Sequence, residues 1–145
     1  MIKKFLSLFE QQVSERPTEA HTLELAVAAL MFEVVRADVD KDPAEYEAVK
    51  SLLSTSFSLT ADELKDLMED GESNADSAVD LVQFTRVINA HYDGEQRADL
   101  VFRLWSIAFA DNQLDKYEEH AIRRISELLH VPHSRFVQAK LNASQ

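Results

Sequence analysis

Two short stretches of the chain concentrate carboxylates. Residues 38–47 hold Asp38, Asp40, Asp42, Glu45 and Glu47 against a single base, Lys41, and residues 111–119 hold Asp111, Asp115, Glu118 and Glu119 against Lys116. Carboxylates about 5 Å apart repel by roughly 1 kcal/mol even in water. A hard cation such as Ca2+ or Mg2+, which prefers oxygen ligands, turns that repulsion into attraction. Asp38, Asp42 and Glu45 therefore form one candidate metal half-site, and Asp111, Asp115 and Glu118 the other.

Several of the same residues have a second use. Asp42-Pro43-Ala44-Glu45 and Asp115-Lys116-Tyr117-Glu118 read as helix starts, with an aspartate N-cap and a glutamate at the third helical position. A cap is worth about 1 kcal/mol and needs no ligand to justify it. Asp38 and Asp111 are the stronger cation candidates, since each follows a helix, where the dipole disfavours an acid. Neither turn is an EF-hand. Loop position six of the first is Pro43 where glycine is required, and position twelve is Val49 in the first turn and Ile122 in the second, where a glutamate must stand.

Other chemistry finds less support. His130 and His133 have a spacing compatible with zinc, but Val131-Pro132 between them marks a helix boundary and not one ligand-bearing face. Glu33, inside an apolar helix, has Arg36 three residues on as an ion-pair partner. No Ser–His–Asp neighbourhood, nucleophile elbow or phosphate loop is readable, so the expectation is a protein that is not an enzyme and carries no obligatory cofactor.

The elements that must position the carboxylates are helices throughout. Leu23, Val27, Leu30 and Val34 follow helical spacing with apolar residues between them, as do Leu100 to Ala110 through Phe102 and Trp105, both read as core, which marks two buried central helices. Single apolar stripes, such as Tyr46, Val49, Leu52 and Leu53, or Ile122, Ile125, Leu128 and Leu129, mark helices laid over them. The pattern predicts eight helices, near 2–13, 18–38, 43–56, 60–70, 76–91, 94–110, 115–130 and 132–142, with Gly71 and Gly94 between helical runs. The first is amphipathic through Ile2, Phe5, Leu6, Phe9 and Val13, and serves either as a packed helix or as a docking segment.

A weak internal repeat organises these elements. Residues 37–45, ADVDKDPAE, and 110–118, ADNQLDKYE, share the pattern A-D-x-x-x-D-x-x-E at an offset of 73. The same offset pairs Val27 with Leu100, Met31 with Leu104, Phe32 with Trp105, Val34 with Ile107 and Val49 with Ile122. After one inserted residue, Leu59 and Leu64 correspond to Val131 and Phe136. The expected fold class is all-α, a compact bundle of seven or eight helices in two pseudo-repeated halves within one domain, residues 1–145.

Composition agrees. The 145 residues include only two glycines, three prolines and no cysteine, which excludes glycine-rich phosphate loops, hairpin-rich β folds, disulfides and thiolate metal sites. A hydrophobic fraction of 46% with 28% charged residues is that of a globular chain. The net charge of −11 disfavours nucleic acid and anionic membranes. No apolar stretch reaches membrane-spanning length, and MIKKFLSLFE lacks the long apolar run and small-residue cleavage site of a secretory leader. The expectation is a cytoplasmic protein without an integral membrane segment. Segment 62–80 carries eight acids against Lys65 without the repeated spacing, and reads as a solvated face.

Over residues 20–140 the chain resembles the tellurite-resistance TerB-like domains. The stretches that carry the resemblance are AALMFEVVRADVDKDPAEYEAVKSLL, FSLTADEL, DLVQFTRVI, LVFRLWSIAFADNQLDKYEEHAIRRISELL and HVPHSRF. The resemblance implies a small all-α domain associated with stress responses, with an acidic surface proposed in the family to hold divalent cations. Relatives often carry glycine in the turn after Ala-Asp, where Val39 and Asn112 stand here. The leading expectation is thus a non-enzymatic binding module with Ca2+ or Mg2+ at its acidic turns. The alternative is a metal-independent interaction or assembly domain whose acidic surface faces a basic protein partner.

Overall fold

Several helix starts in this chain are set by side chains that satisfy the first exposed N–H groups. In the computed structural model, which describes residues 16–37, 43–77 and 81–145 (side chains within 23–37, 43–75 and 81–145), the helices are α1 (Arg16–Ala37), α2 (Pro43–Ser56), α3 (Ala61–Ser77), α4 (Leu81–His91), α5 (Gly94–Ala108), α6 (Lys116–Leu128) and α7 (His133–Ala143). Among the described residues there is no strand. The expected helix at 2–13 lies outside them. At α3, Glu63 N–H donates to Thr60 Oγ1 at 3.1 Å and Thr60 N–H donates to Glu63 Oε1 at 2.8 Å. At α5, Asp93 and Gln96 make the same reciprocal pair at 2.9 and 2.8 Å. Each such box satisfies two donors that the helix itself cannot.

The end of α6 is closed differently. His130 adopts φ 60°, Val131 N–H donates to Ser126 carbonyl at 3.1 Å, and His130 N–H donates to Glu127 carbonyl at 3.1 Å. This is a Schellman closure with histidine in the left-handed place that glycine usually fills. Val131, the residue after it, is buried against the core.

One boundary differs from the sequence expectation. Gly71 does not separate two helices but sits inside α3, which runs on to Ser77. A Cβ at Gly71 would lie 2.8 Å from Ala28 Cβ and 3.3 Å from Phe32 Cδ2. The glycine is there because α3 crosses α1 too closely for any side chain, and the helix continues because α1 supports it.

The repeat is visible as architecture. The runs α1–α2–α3 and α5–α6–α7 correspond, with α3 packed on α1 as α7 is packed on α5. The central helices touch each other, and each also touches both α2 and α6. Helix α4 stands between the two halves in sequence and packs on α1 and α6. The paired core positions are buried together: Met31 with Leu104, Phe32 with Trp105, Val34 with Ile107 and Val49 with Ile122 are all 2% exposed or less. Trp105, the largest buried side chain, stacks against Phe109 and lies tilted to Phe136 at 5.3 Å between ring centroids. Phe102, expected in the core from its spacing on α5, is instead exposed, because it stands on the side of α5 that lines the open groove toward α7.

Candidate functional site

The second acidic turn is fully described, and its carboxylates hold the backbone. After α5, Asn112 takes φ 64°, a conformation that glycine adopts freely and asparagine tolerates better than most residues. This gives the glycine of related turns a physical reason. Asp111 accepts a hydrogen bond from Gln113 N–H at 3.0 Å, which locks the turn. Asp115 caps α6, accepting from Tyr117 N–H at 2.7 Å, and its own N–H donates to Glu118 Oε1 at 3.2 Å. Asp115 and Glu118 are thus brought together, while Asp111 is used one step earlier in the chain.

Of the first turn, Asp38 and Asp42 lie outside the described residues. Glu45, at the third position of α2, is fully buried, and so is Glu118 at the same position of α6. That much burial is unusual for a carboxylate and exceeds what a surface cap requires. Among the described residues no three His, Cys, Asp or Glu side chains converge on a point where a metal ion would sit. His130 and His133 are exposed and serve the closure and the start of adjoining helices. Glu33 pairs with Arg36 at 3.4 Å, as its spacing predicts.

Three concavities flank the central helices. The first, of about 510 Å3, lies where α2 ends against α5, lined by Thr55, Ser56, Tyr92, Asp99, Leu100 and Arg103. Arg103 crosses it, donating through Nε to Asp99 Oδ2 at 2.8 Å and through Nη1 to Ser56 Oγ. Burial pushes the Tyr92 hydroxyl pKa up, opposed by the Arg103 charge and reinforced by Asp99.

The other two are equivalents of one another. Between α1 and α3 runs a groove of about 240 Å3, with Leu25, Leu59 and Leu67 beside the carboxylates of Glu24, Glu63, Asp66 and Asp70. Between α5 and α7 runs its counterpart, of about 370 Å3, where Ala98, Ala139, Arg135, Gln138 and Asn142 occupy the corresponding places. There Arg135 makes a bidentate pair with Glu95 at 2.9 and 3.0 Å. That hydrogen bond, and then the guanidinium charge, holds the Glu95 carboxyl below its ordinary range and raises the arginine in return.

The acids of α3 form a run without such pairing, whereas several acids on other helices are paired. Glu33, Glu95, Asp99 and Glu119 each have a basic partner within 3.5 Å. None of Asp62, Glu63, Asp66, Glu69, Asp70 and Glu72 forms an ion pair among the described residues. Like charges four residues apart, as in Asp62, Asp66 and Asp70, cost a helix about 0.2–0.5 kcal/mol per pair. By spacing alone this stretch is a solvated face, whereas in the fold Glu63, Asp66 and Asp70 line a groove. Carrying the repeat one helix further, onto Glu63 with Arg135 and Asp66 with Gln138, is the signal that separates them.

The chain matches the family described as tellurite resistance protein TerB over residues 24–141. No match was found among curated proteins or among solved structures. No described helix is long and apolar enough to cross a membrane.

Proposed function

The chain belongs to the TerB family, and we propose that it is a non-enzymatic binding module whose acidic surface recognises a positively charged protein partner. The observation that carries this reading is the set of unpaired acids on α3, which raises the local negative potential on a chain of net charge −11. Such a field steers basic partners to the surface and rejects anionic ones. A cytoplasmic setting and a role in stress responses belong to the same proposal, by family likeness.

The test is retention of polylysine and of polyglutamate on the immobilised protein across a salt series. Retention of polylysine alone, lost near ~0.5 M salt as screening shortens to a few ångströms, is the expected result. Equal retention of both polymers, or retention indifferent to salt, overturns the reading.

A second reading places a divalent cation between the acidic turns, held by Asp38, Asp42 and Glu45 from one and Asp111, Asp115 and Glu118 from the other. What favours it is the full burial of Glu45 and Glu118 at matched positions. Calorimetric titration with Ca2+ and with Mg2+ tests it. A heat of binding that disappears in the Asp38→Asn, Asp111→Asn double variant supports the site, and a heat that survives there sinks it.

A further inference from the structure

We propose that the groove between α1 and α3 is the docking site for a lysine-rich amphipathic helical segment of a partner protein. This rests on the reading of the acidic surface given above and assigns it a place.

The groove presents two chemistries side by side. Leu25, Leu59 and Leu67 give it a half-buried apolar floor, and Glu24, Asp66 and Asp70 stand along that floor with Glu63 at one end. On α3, Glu63, Asp66, Leu67 and Asp70 fall at i, i+3, i+4 and i+7, one face of two turns. Seven residues of helix rise about 10 Å, so the face matches two turns of an incoming helix. Glu63 is accounted for by its cap at Thr60. The other three carboxylates have no basic partner among the described residues.

The counterpart groove is built from different side chains. Along the repeat, Glu24 corresponds to Arg97, Glu63 to Arg135, Asp66 to Gln138 and Asp70 to Asn142, while Leu25 and Leu67 correspond to Ala98 and Ala139. At the matched positions of that groove a base and two amides replace the acids of α3 and alanines replace two leucines, and the acids that do line it, Glu95 and Asp99, are each paired with an arginine. The same packing of helix on helix is achieved in both halves. Glu63 caps α3 and Leu67 packs on the core, but Glu24, Asp66 and Asp70 make no ion pair among the described residues that would hold the two helices together.

The occupant follows by complementarity. Leucine floors offer no ligand oxygen, and no metal cluster is formed among the described residues, so a bare cation uses only part of the surface. Nucleic acid and anionic lipid are repelled. A helix with leucines on one stripe and lysines flanking it matches both chemistries at once.

The experiment uses the full chain and a labelled 14-residue peptide of leucine and lysine at helical spacing, with fluorescence anisotropy as readout and a glutamate-for-lysine peptide as control. Thermal melts establish that every variant is folded. The lysine peptide is expected to bind, and Asp66→Asn with Asp70→Asn to weaken it roughly tenfold, the loss of two charge pairs. Glu69→Gln with Glu72→Gln removes the same charge from α3 off the groove, and is expected to weaken binding less than about threefold. Leu67→Ala is expected to weaken it to an extent that salt does not alter. Equal weakening by the two charge pairs of substitutions overturns the groove and leaves the acidic-surface reading standing. Failure of the wild-type chain to bind the lysine peptide overturns both. Tighter binding after Lys3→Glu with Lys4→Glu would identify the chain's own N-terminal segment as the occupant, and overturns the assignment to a partner.

Discussion

Glu118 stands 73 residues after Glu45, at the same third position of its helix, and both side chains are fully buried. In the second turn the reason is visible, since Glu118 Oε1 receives Asp115 N–H while Asp115 receives Tyr117 N–H. The turn and the helix start are held by one closed exchange. Asp115→Ala is expected to cost about 1 kcal/mol, the typical worth of an N-cap. Glu118→Ala is expected to cost about 1–3 kcal/mol, because it strips the acceptor from a partly buried N–H and empties a buried site, and Glu118→Gln less than that. Urea unfolding followed by Trp105 fluorescence checks all three, and a Glu118→Ala variant as stable as wild type would contradict the exchange.

Gly71 gives a prediction of opposite sign to helix propensity. Alanine in the middle of a helix gains about 1 kcal/mol over glycine, yet its Cβ would meet Ala28 Cβ at 2.8 Å. Overpacking of that kind costs about 1–3 kcal/mol. Gly71→Ala is therefore expected to lower the melting temperature, and Ala28→Gly in the same chain to recover part of the loss. A rise on Gly71→Ala alone would contradict the close crossing of α1 and α3.

His130 offers the reverse case. Its φ of 60° carries a left-handed cost of roughly 1–2 kcal/mol for a residue with a side chain. Glycine removes that cost and returns part of it as unfolded-state entropy. His130→Gly is expected to stabilise the chain by about 0.5–1 kcal/mol in a urea titration. Destabilisation would show that the imidazole makes a contribution beyond the backbone turn.

The Glu95–Arg135 pair acts at the acid end of the pH range. The folded chain holds the Glu95 carboxyl below its ordinary pKa, through the Arg135 hydrogen bond first and its charge second. Its contribution is full above the unfolded value and is lost as pH falls through the folded one. Glu95→Gln is expected to flatten the acid limb of the stability–pH curve without changing the plateau slope near neutrality. An unchanged acid limb in that variant would show that solvent screens the pair completely.

At the alkaline end, Tyr92 is expected to titrate above the ordinary tyrosine range in an ultraviolet difference titration, since burial favours its neutral form. A folded pKa raised above the unfolded one means that the contribution is present below the unfolded value and lost as pH rises through the folded one. Tyr92→Phe should remove the raised step. Its persistence would assign that step elsewhere.

Much of the architecture is legible from local chemistry. Pro43 opens α2 where the sequence places it, and the Asp115–Glu118 box appears as its spacing predicts. The repeat is legible too, because core positions 73 apart carry matching apolar residues. Gly71 misleads, since a glycine read along one strand of sequence signals a break, whereas its cause is the approach of Ala28 from a helix 43 residues earlier. Phe102 misleads because helical spacing gives a period and not the direction of the core. The α1–α3 groove is hidden for the same kind of reason: Glu24 and Asp66 become neighbours only when two helices dock, and each alone is an ordinary surface acid. Of the six carboxylates proposed as a cation site, the four described are placed as a locked turn, a cap and two buried glutamates.

Each central helix leans on the second helix of its own half and on that of the other half, with α1 and α5 both touching α2 and α6. The two halves are in this sense clasped, and neither completes a hydrophobic interior from its own residues. Val49 and Leu53 on α2 would lose part of their cover if α5 left, and Ile122 and Ile125 on α6 if α1 left. A chain built of two similar units therefore melts as one cooperative body. Its single tryptophan, Trp105, resides in the second unit but reports the loss of the first as well.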